Sequence, residues 1–160
     1  VSDLLASTFQ SKTAWDRIEE TAAGTRRDRQ TVTNTVALAD GAGAGQANRV
    51  FRDTRTVAAG GVDTLNLSTL TQQMFTTTVP MSFTTVRGVT VANLSTAAGA
   101  AINVGADGDN PFTAYAQRVG RQGHFSIANP DGWSVSGANV LRIANPGAAA
   151  VTYQITIVGA

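Results

Sequence analysis

The chain has no cysteine, one histidine (His124), one lysine (Lys12) and two glutamates (Glu19 and Glu20). Without cysteine there is no disulfide scaffold, no zinc finger and no thiol nucleophile. A single imidazole rules out a His–His acid/base pair and most multi-histidine metal sites. Charged residues make up 14% of the chain, well under the roughly 25% of an average soluble domain. The net charge of +1 supplies no electrostatic reason to expect nucleic acid as a partner. No apolar run approaches the roughly 18 residues of a membrane span, so no membrane partner is expected. Val1 to Gln10 lack the basic-then-apolar order of a secretory signal. A start at Val1 fits removal of an initiator methionine, and an intracellular product without an anchor is the expectation.

What is present points to a compact, β-rich and chemically inert protein. At 160 residues there is room for one domain, or one domain plus an arm. The chain holds 22 Thr, 26 Ala and 16 Gly, and its basic charge is 11 Arg against one Lys. Threonine suits strands whose outer face meets solvent or another protein. Small Ala and Gly suit tight turns and close approach of neighbouring chains. Arginine preferred over lysine favours bidentate contacts to carboxylates at interfaces.

Two regions separate: an N-terminal arm over residues 1–30 and a β domain over residues 31–160. Within the arm, Ser11 to Ala22 is predicted to be a short helix stopped by Gly24. Thr13 would cap it, with Asp16 at the capping-box place. Trp15, Ile18 and Ala22 would form a stripe too narrow for a helix that stands alone. From Thr31 the period is two: Val32, Val36 and Leu38 share one face with threonines opposite. Further strands are predicted at Arg49 to Val57, Val62 to Leu67, Met81 to Leu94, Ala101 to Gly105, Tyr115 to Val119, His124 to Ala128, Val140 to Ala144 and Val151 to Val158. Gly88 would mark a bulge or bend, and Ser68 to Phe75 a helical turn or connection. Many short strands without intervening helices predict an antiparallel β-sandwich, with jelly-roll topology favoured.

A local phrase recurs at Ala92-Asn93, Ala128-Asn129 and Ala144-Asn145, each closing an apolar stretch. Asn closes an Asx-turn through its side chain, and the Pro that follows Asn129 and Asn145 fits the turn backbone. The last phrase is expected to close a hairpin joining Leu141-Arg142-Ile143 to Tyr153-Gln154-Ile155.

The chemical candidates do not survive their spacing. Gly41, Gly43 and Gly45 look like a phosphate loop, but Gln46 stands where the third glycine is needed and a strand follows instead of a helix. Asp107, Asp109 and Asn110 begin like a calcium loop but lack its Gly at the sixth place and its Glu at the twelfth, where Arg118 stands. His124 and Ser126 alternate in a strand without a nucleophile–base geometry or a Gly-x-Ser-x-Gly elbow. Glu19 and Glu20 are adjacent, which makes a poor glycosidase pair. No catalytic, cofactor or metal residue is therefore assigned, and the chain is not expected to be an enzyme.

The arginines carry more. Arg26, Arg27 and Arg29 sit in the arm, and Arg49 and Arg55 would share a strand face with Arg52 opposite. The first 55 residues hold eight basic and seven acidic groups, so carboxylates of a protein partner suit these arginines better than phosphates. Trp15, Trp133 and Tyr153 are either core residues or interface anchors.

A resemblance adds to this reading. Thr64-Leu65-Asn66-Leu67, Val86-Arg87-Gly88-Val89, Val91-Ala92-Asn93-Leu94-Ser95, Asn110-Pro111-Phe112 and the run from Leu141 to Tyr153 resemble small virion proteins of tailed bacteriophages. The likeness covers Val62 to Ala160. It implies a β-sandwich and a role such as capsid cement or decoration, with no catalytic residues to transfer. The expected partners are the major capsid protein and further copies of the chain, as a homodimer or homotrimer. Trp15 and the six arginines are the candidate docking residues. The expected location is the outer capsid surface of a virion, after synthesis in the host bacterial cytoplasm. The alternative is a tail, fibre or head-fibre component contacting the host surface, with Trp133 and Tyr115 as hints of a sugar groove.

Overall fold

A computed structural model describes residues 6–74, 76–105, 110–113 and 116–160. Among these the regular elements are all strands. β1 (Ser7–Thr21) and β2 (Gly24–Asp40) form one long antiparallel hairpin, to which β3 (Gln46–Ala47) adds a short parallel pairing. β4 (Arg49–Val57), β8 (Thr85–Asn93), β11 (His124–Ser134) and β13 (Val151–Gly159) make a four-stranded sheet in the order β11-β8-β13-β4. β5 (Val62–Asn66), β9 (Ala101–Val104), β10 (Gln117–Gly120) and β12 (Val140–Ala144) make a second, in the order β10-β9-β12-β5. β6 (Leu70–Met74) and β7 (Thr77–Met81) pair as a separate hairpin. Every pairing within the two four-stranded sheets is antiparallel.

The two sheets share one core, and the period-two pattern explains which side chains enter it. In β13, Val151, Tyr153, Ile155 and Ile157 are buried while Thr152, Gln154 and Thr156 between them stay partly exposed. Phe51, Val89, Val91 and these β13 residues meet Leu65, Ile102, Val104, Leu141 and Ile143 of the other sheet in a single cluster. Burying such side chains contributes roughly 1.5–3 kcal/mol each. No residue of this cluster precedes Phe51.

Several expectations from the sequence are corrected. Ser11 to Ala22 is not a helix; it lies in β1 and the turn after it. A lone helix with a narrow apolar stripe is marginal, whereas the Thr- and Val-rich β2 offers fifteen successive cross-strand partners. Pairing therefore overrides local propensity. Gly24 still supplies a positive φ, +128°, but at the hairpin turn. β2 runs unbroken through position 30, from Gly24 to Asp40. Ser68 to Phe75 contains strand β6, and Met81 to Leu94 is divided between the end of β7 and β8. Leu141-Arg142-Ile143 and Tyr153-Gln154-Ile155 do not pair as a hairpin: β12 and β13 belong to opposite sheets, and the chain crosses between them. The start of the calcium-like loop and Tyr115 lie outside the described residues.

The asparagine phrases behave as turn chemistry requires. The side-chain oxygens of Asn93, Asn129 and Asn145 accept from the backbone N–H two residues on, at Ser95, Asp131 and Gly147. Asn145, buried, also donates to the carbonyls of Val57, Ala58 and Ala149. It thereby ties the crossover to the end of β4. The Asn129 turn sits inside β11 as an irregularity between Ala128 and Trp133. Pairing of β8 with β13 also slips beside Gly88, where Val158 faces Gly88 and Gly159 faces Val86.

Candidate docking surface

Among the described residues the hairpin packs on the body at its base. Phe9, Val36 and Val50 pack on the small cluster of Leu38, Ala47 and Val158. Gly88 is the seat of the Phe9 ring: a side chain at 88 would collide with it. The neighbouring loop is pinned by Arg87, which is buried and donates from its two terminal nitrogens to the Pro130 and Ala42 carbonyls at 2.8 and 2.9 Å. The Gly45 N–H donates to the same Pro130 carbonyl.

Beyond that base, every residue from Gln10 to Thr21 and from Gly24 to Thr35 is exposed. Twelve residues of strand reach about 40 Å at 3.4 Å per residue. One ribbon face continues the line of Phe9, Val36 and Leu38 outward through Val32 (49% exposed) and Trp15 (42%). It then carries the opposite-charge cross-strand neighbours Arg17/Asp28 and Glu19/Arg26. The other face carries Ile18, 52% exposed, and a cluster in which Asp16 accepts from Arg29 at 3.1 Å and lies 3.6 Å from Arg27. Such exposed pairs contribute at most about 1 kcal/mol.

The arm and the outer face of the β11-β8-β13-β4 sheet enclose an open groove of about 1100 Å³. Its walls mix polar and apolar side chains: Phe9, Ser11, Thr13 and Asn34 on the arm, and Thr90, Phe125, Ser126 and Thr156 on the sheet. His124 lies on the same sheet face, but Ser126 Oγ is hydrogen-bonded to Thr90 Oγ1 at 3.1 Å.

The structure thus separates the seven candidate docking residues. Trp15 and Arg26 share one ribbon face; Arg27 and Arg29 occupy the other. Arg49 donates to the Ser82 carbonyl at 2.8 Å. Arg55 is engaged inside the body, forking onto Asp63 through Nε and a terminal nitrogen (2.9 Å to Oδ1) and reaching Asp53 at 3.0 Å. Arg52 is exposed on the opposite side of β4. Trp133 is partly buried and packs on the core, edge-on to Phe112 at 6.0 Å between ring centroids. Tyr153 is fully buried and donates its hydroxyl to Asp63 at 2.8 Å.

The Arg55–Asp63–Tyr153 network ties β4 and β13 of one sheet to β5 of the other. Partial burial pushes the Asp63 carboxyl up, but the hydrogen bonds from Arg55 and Tyr153 outweigh it and hold the group below its ordinary value. Burial, then donation to Asp63, pushes the Tyr153 phenol well above its own. The sequence singles out the face of Val32, Val36 and Leu38 but not Phe9, Asp63 or Arg87. For Phe9 a signal lies in the mirror relation of the arm, where charges of opposite sign lie at equal distances from Ala22-Ala23.

Among the described residues there is no group of three or more His, Asp or Glu side chains placed to hold a metal ion. Nor is there a helix long and apolar enough to cross a membrane. No family model and no curated protein matches the chain. Among solved structures, the Yersinia pseudotuberculosis-derived mitogen matches with a TM-score of 0.36 and 13% identity, over 70% of this chain and 86% of that one.

Proposed function

We propose that the protein is a structural component of a phage head, a cement protein that binds major capsid protein subunits through its hairpin arm. The observation that carries this reading is the arm itself. A two-stranded ribbon has no core of its own and is at best marginally stable in water, yet this one displays Trp15, Ile18 and Val32 to solvent. A partner that covers those side chains gives the arm the apolar burial that it lacks, and aromatic anchors of this kind dominate interface energies. On this reading Arg26, Arg27, Arg29 and Arg52 meet carboxylates of the shell, while Arg49 and Arg55 hold the body together.

The body reads as a jelly roll. Numbering its eight sheet strands in chain order from β4 gives 1-8-3-6 for one sheet and 2-7-4-5 for the other, an interleaving that suits the paired Greek keys of that fold. Jelly rolls are frequent in capsid and lectin domains. A body that sits on the shell and an arm that reaches about 40 Å would span a seam between subunits. Repetition around the shell multiplies the gain through multivalency.

The test is a shortened arm. Ser11 to Asn34 is replaced by an Asn-Gly turn joining Gln10 to Thr35, which face each other across the hairpin. Heads of the phage that carries the gene, assembled with this variant, are expected to lose the protein during purification. Full occupancy by the shortened protein overturns the arm-docking role. Gold-labelled protein found on tails instead of shells turns the assignment to the tail or fibre alternative.

A further inference from the structure

The outer edge of the arm has its own recognition problem. Among the described residues β1 pairs only with β2, so the length of its other edge offers backbone N–H and C=O groups without a strand partner there. The ladder runs through fifteen consecutive pairs without a bulge, and the segment contains no proline. Natural edges are normally blunted by such devices or by charged side chains; of these β1 carries the charges, Lys12, Asp16, Arg17, Glu19 and Glu20, which select the partner and register. We infer that the free edge of β1 pairs antiparallel with the β1 of a second copy, centred on Asp16, so that two arms form one four-stranded ribbon. This inference stands apart from the shell reading, since it requires no capsid.

The register follows from the side chains. A two-fold axis perpendicular to the ribbon leaves each face on its own side, so facing residues must both be odd-numbered or both even-numbered. Only a few centres are then possible. Centring on Arg17 opposes two arginines, and centring on Ile18 opposes Asp16 to Glu20 twice, which cancels the two Arg17–Glu19 pairs that it also forms. Centring on Trp15 makes no ion pair. Centring on Ala14 draws the tip of the partner alongside Ser7 and Phe9, where β1 lies against the body.

Centring on Asp16 uses Ser11 to Thr21, a stretch in which every residue is exposed, whereas Ser7 and Phe9 are half-buried. It sets Lys12 against Glu20 of the second copy, twice by symmetry. It also sets Trp15 against Arg17, a cation–π arrangement, and Ala14 against Ile18. The two Asp16 carboxylates meet at the axis, which costs by itself. Each, however, already accepts from Arg29 and adjoins Arg27 in its own hairpin, so four guanidiniums surround the pair. Such an isologous contact closes on itself and yields a dimer.

Charge exchange tests this directly. Lys12 and Glu20 lie about 27 Å apart along one strand at 3.4 Å per residue, too far to meet within a chain. The full-length protein is expected to form dimers in sedimentation equilibrium. Lys12→Glu alone and Glu20→Lys alone each place two like-charged contacts in the ribbon and should weaken dimerisation by about tenfold. An equimolar mixture of the two variants should dimerise about as tightly as the unaltered chain, because the acid introduced at position 12 then faces the base introduced at position 20. Folding damage cannot produce that recovery. A chain that stays monomeric at high concentration overturns the inference, as does self-association indifferent to both substitutions or a mixture no tighter than its components.

Discussion

Asp63 shows how one side chain ties the two sheets. It lies on an edge strand of one sheet and receives Arg55 and Tyr153 from the other. Its ionised form is the one these donors favour, so its folded pKa lies below its ordinary value. The stability that it supplies is therefore complete above the unfolded carboxylate value of about 3.9 and is lost as pH falls through the lower folded one. Asp63→Asn is expected to destabilise the protein at pH 7 by about 1–2 kcal/mol, discounted for the partial exposure of the site. It should also flatten the acid limb of a urea-midpoint-versus-pH curve. An unchanged slope below pH 4 would show that the network does not carry the linkage. The shared strand face of Arg49 and Arg55 is readable from their spacing. The fork to Asp63 is not, because it depends on how the chain turns at Gly60-Gly61 and enters the other sheet.

At the scale of elements, the hairpin and its seat are the parts least visible in the amino-acid order. The body strands were legible because their faces differ: in β13 large apolar residues alternate with Thr and Gln, and burial on one side fixes the register. In β1 beyond Phe9 both faces are exposed and no such contrast exists, and the local signals at Thr13 and Gly24 fit a capped helix equally well. What decides between them is the match of Asp16, Arg17 and Glu19 with Arg29, Asp28 and Arg26 across the ribbon, a relation over up to thirteen residues. Gly88 was readable as a bulge position, and pairing does slip beside it. That it also leaves room for Phe9 depends on the fold of a remote segment. Gly88→Val should therefore lift the base of the arm while sparing the core, which Phe9 does not enter. Limited proteolysis is expected to cut the arm of this variant several-fold faster, with the unfolding temperature of the body lowered by several degrees, as for a local overpacking cost of about 1–3 kcal/mol. Unchanged protection of the arm would mean that Phe9 is not its anchor.

The whole molecule is a body that supplies its own stability and an arm that supplies almost none. The principal core begins at Phe51; the arm adds only the small patch of Phe9, Val36, Leu38, Ala47, Val50 and Val158. Opening such a ribbon exposes little apolar surface, so its local unfolding free energy lies far below that of the sheets. Replacing Ser11 to Asn34 by the two-residue turn should leave the cooperative unfolding transition within a few degrees of the full chain. In dilute full-length protein, backbone amides between Ser11 and Asn34 are expected to exchange with solvent orders of magnitude faster than those of β8 and β13. Raising the concentration should slow the arm amides alone if two copies join at β1, because mass action stabilises only what the contact buries. Slow exchange of the arm at high dilution would instead mean that the ribbon is stable alone, and the argument that it needs a covering partner would lose its physical basis.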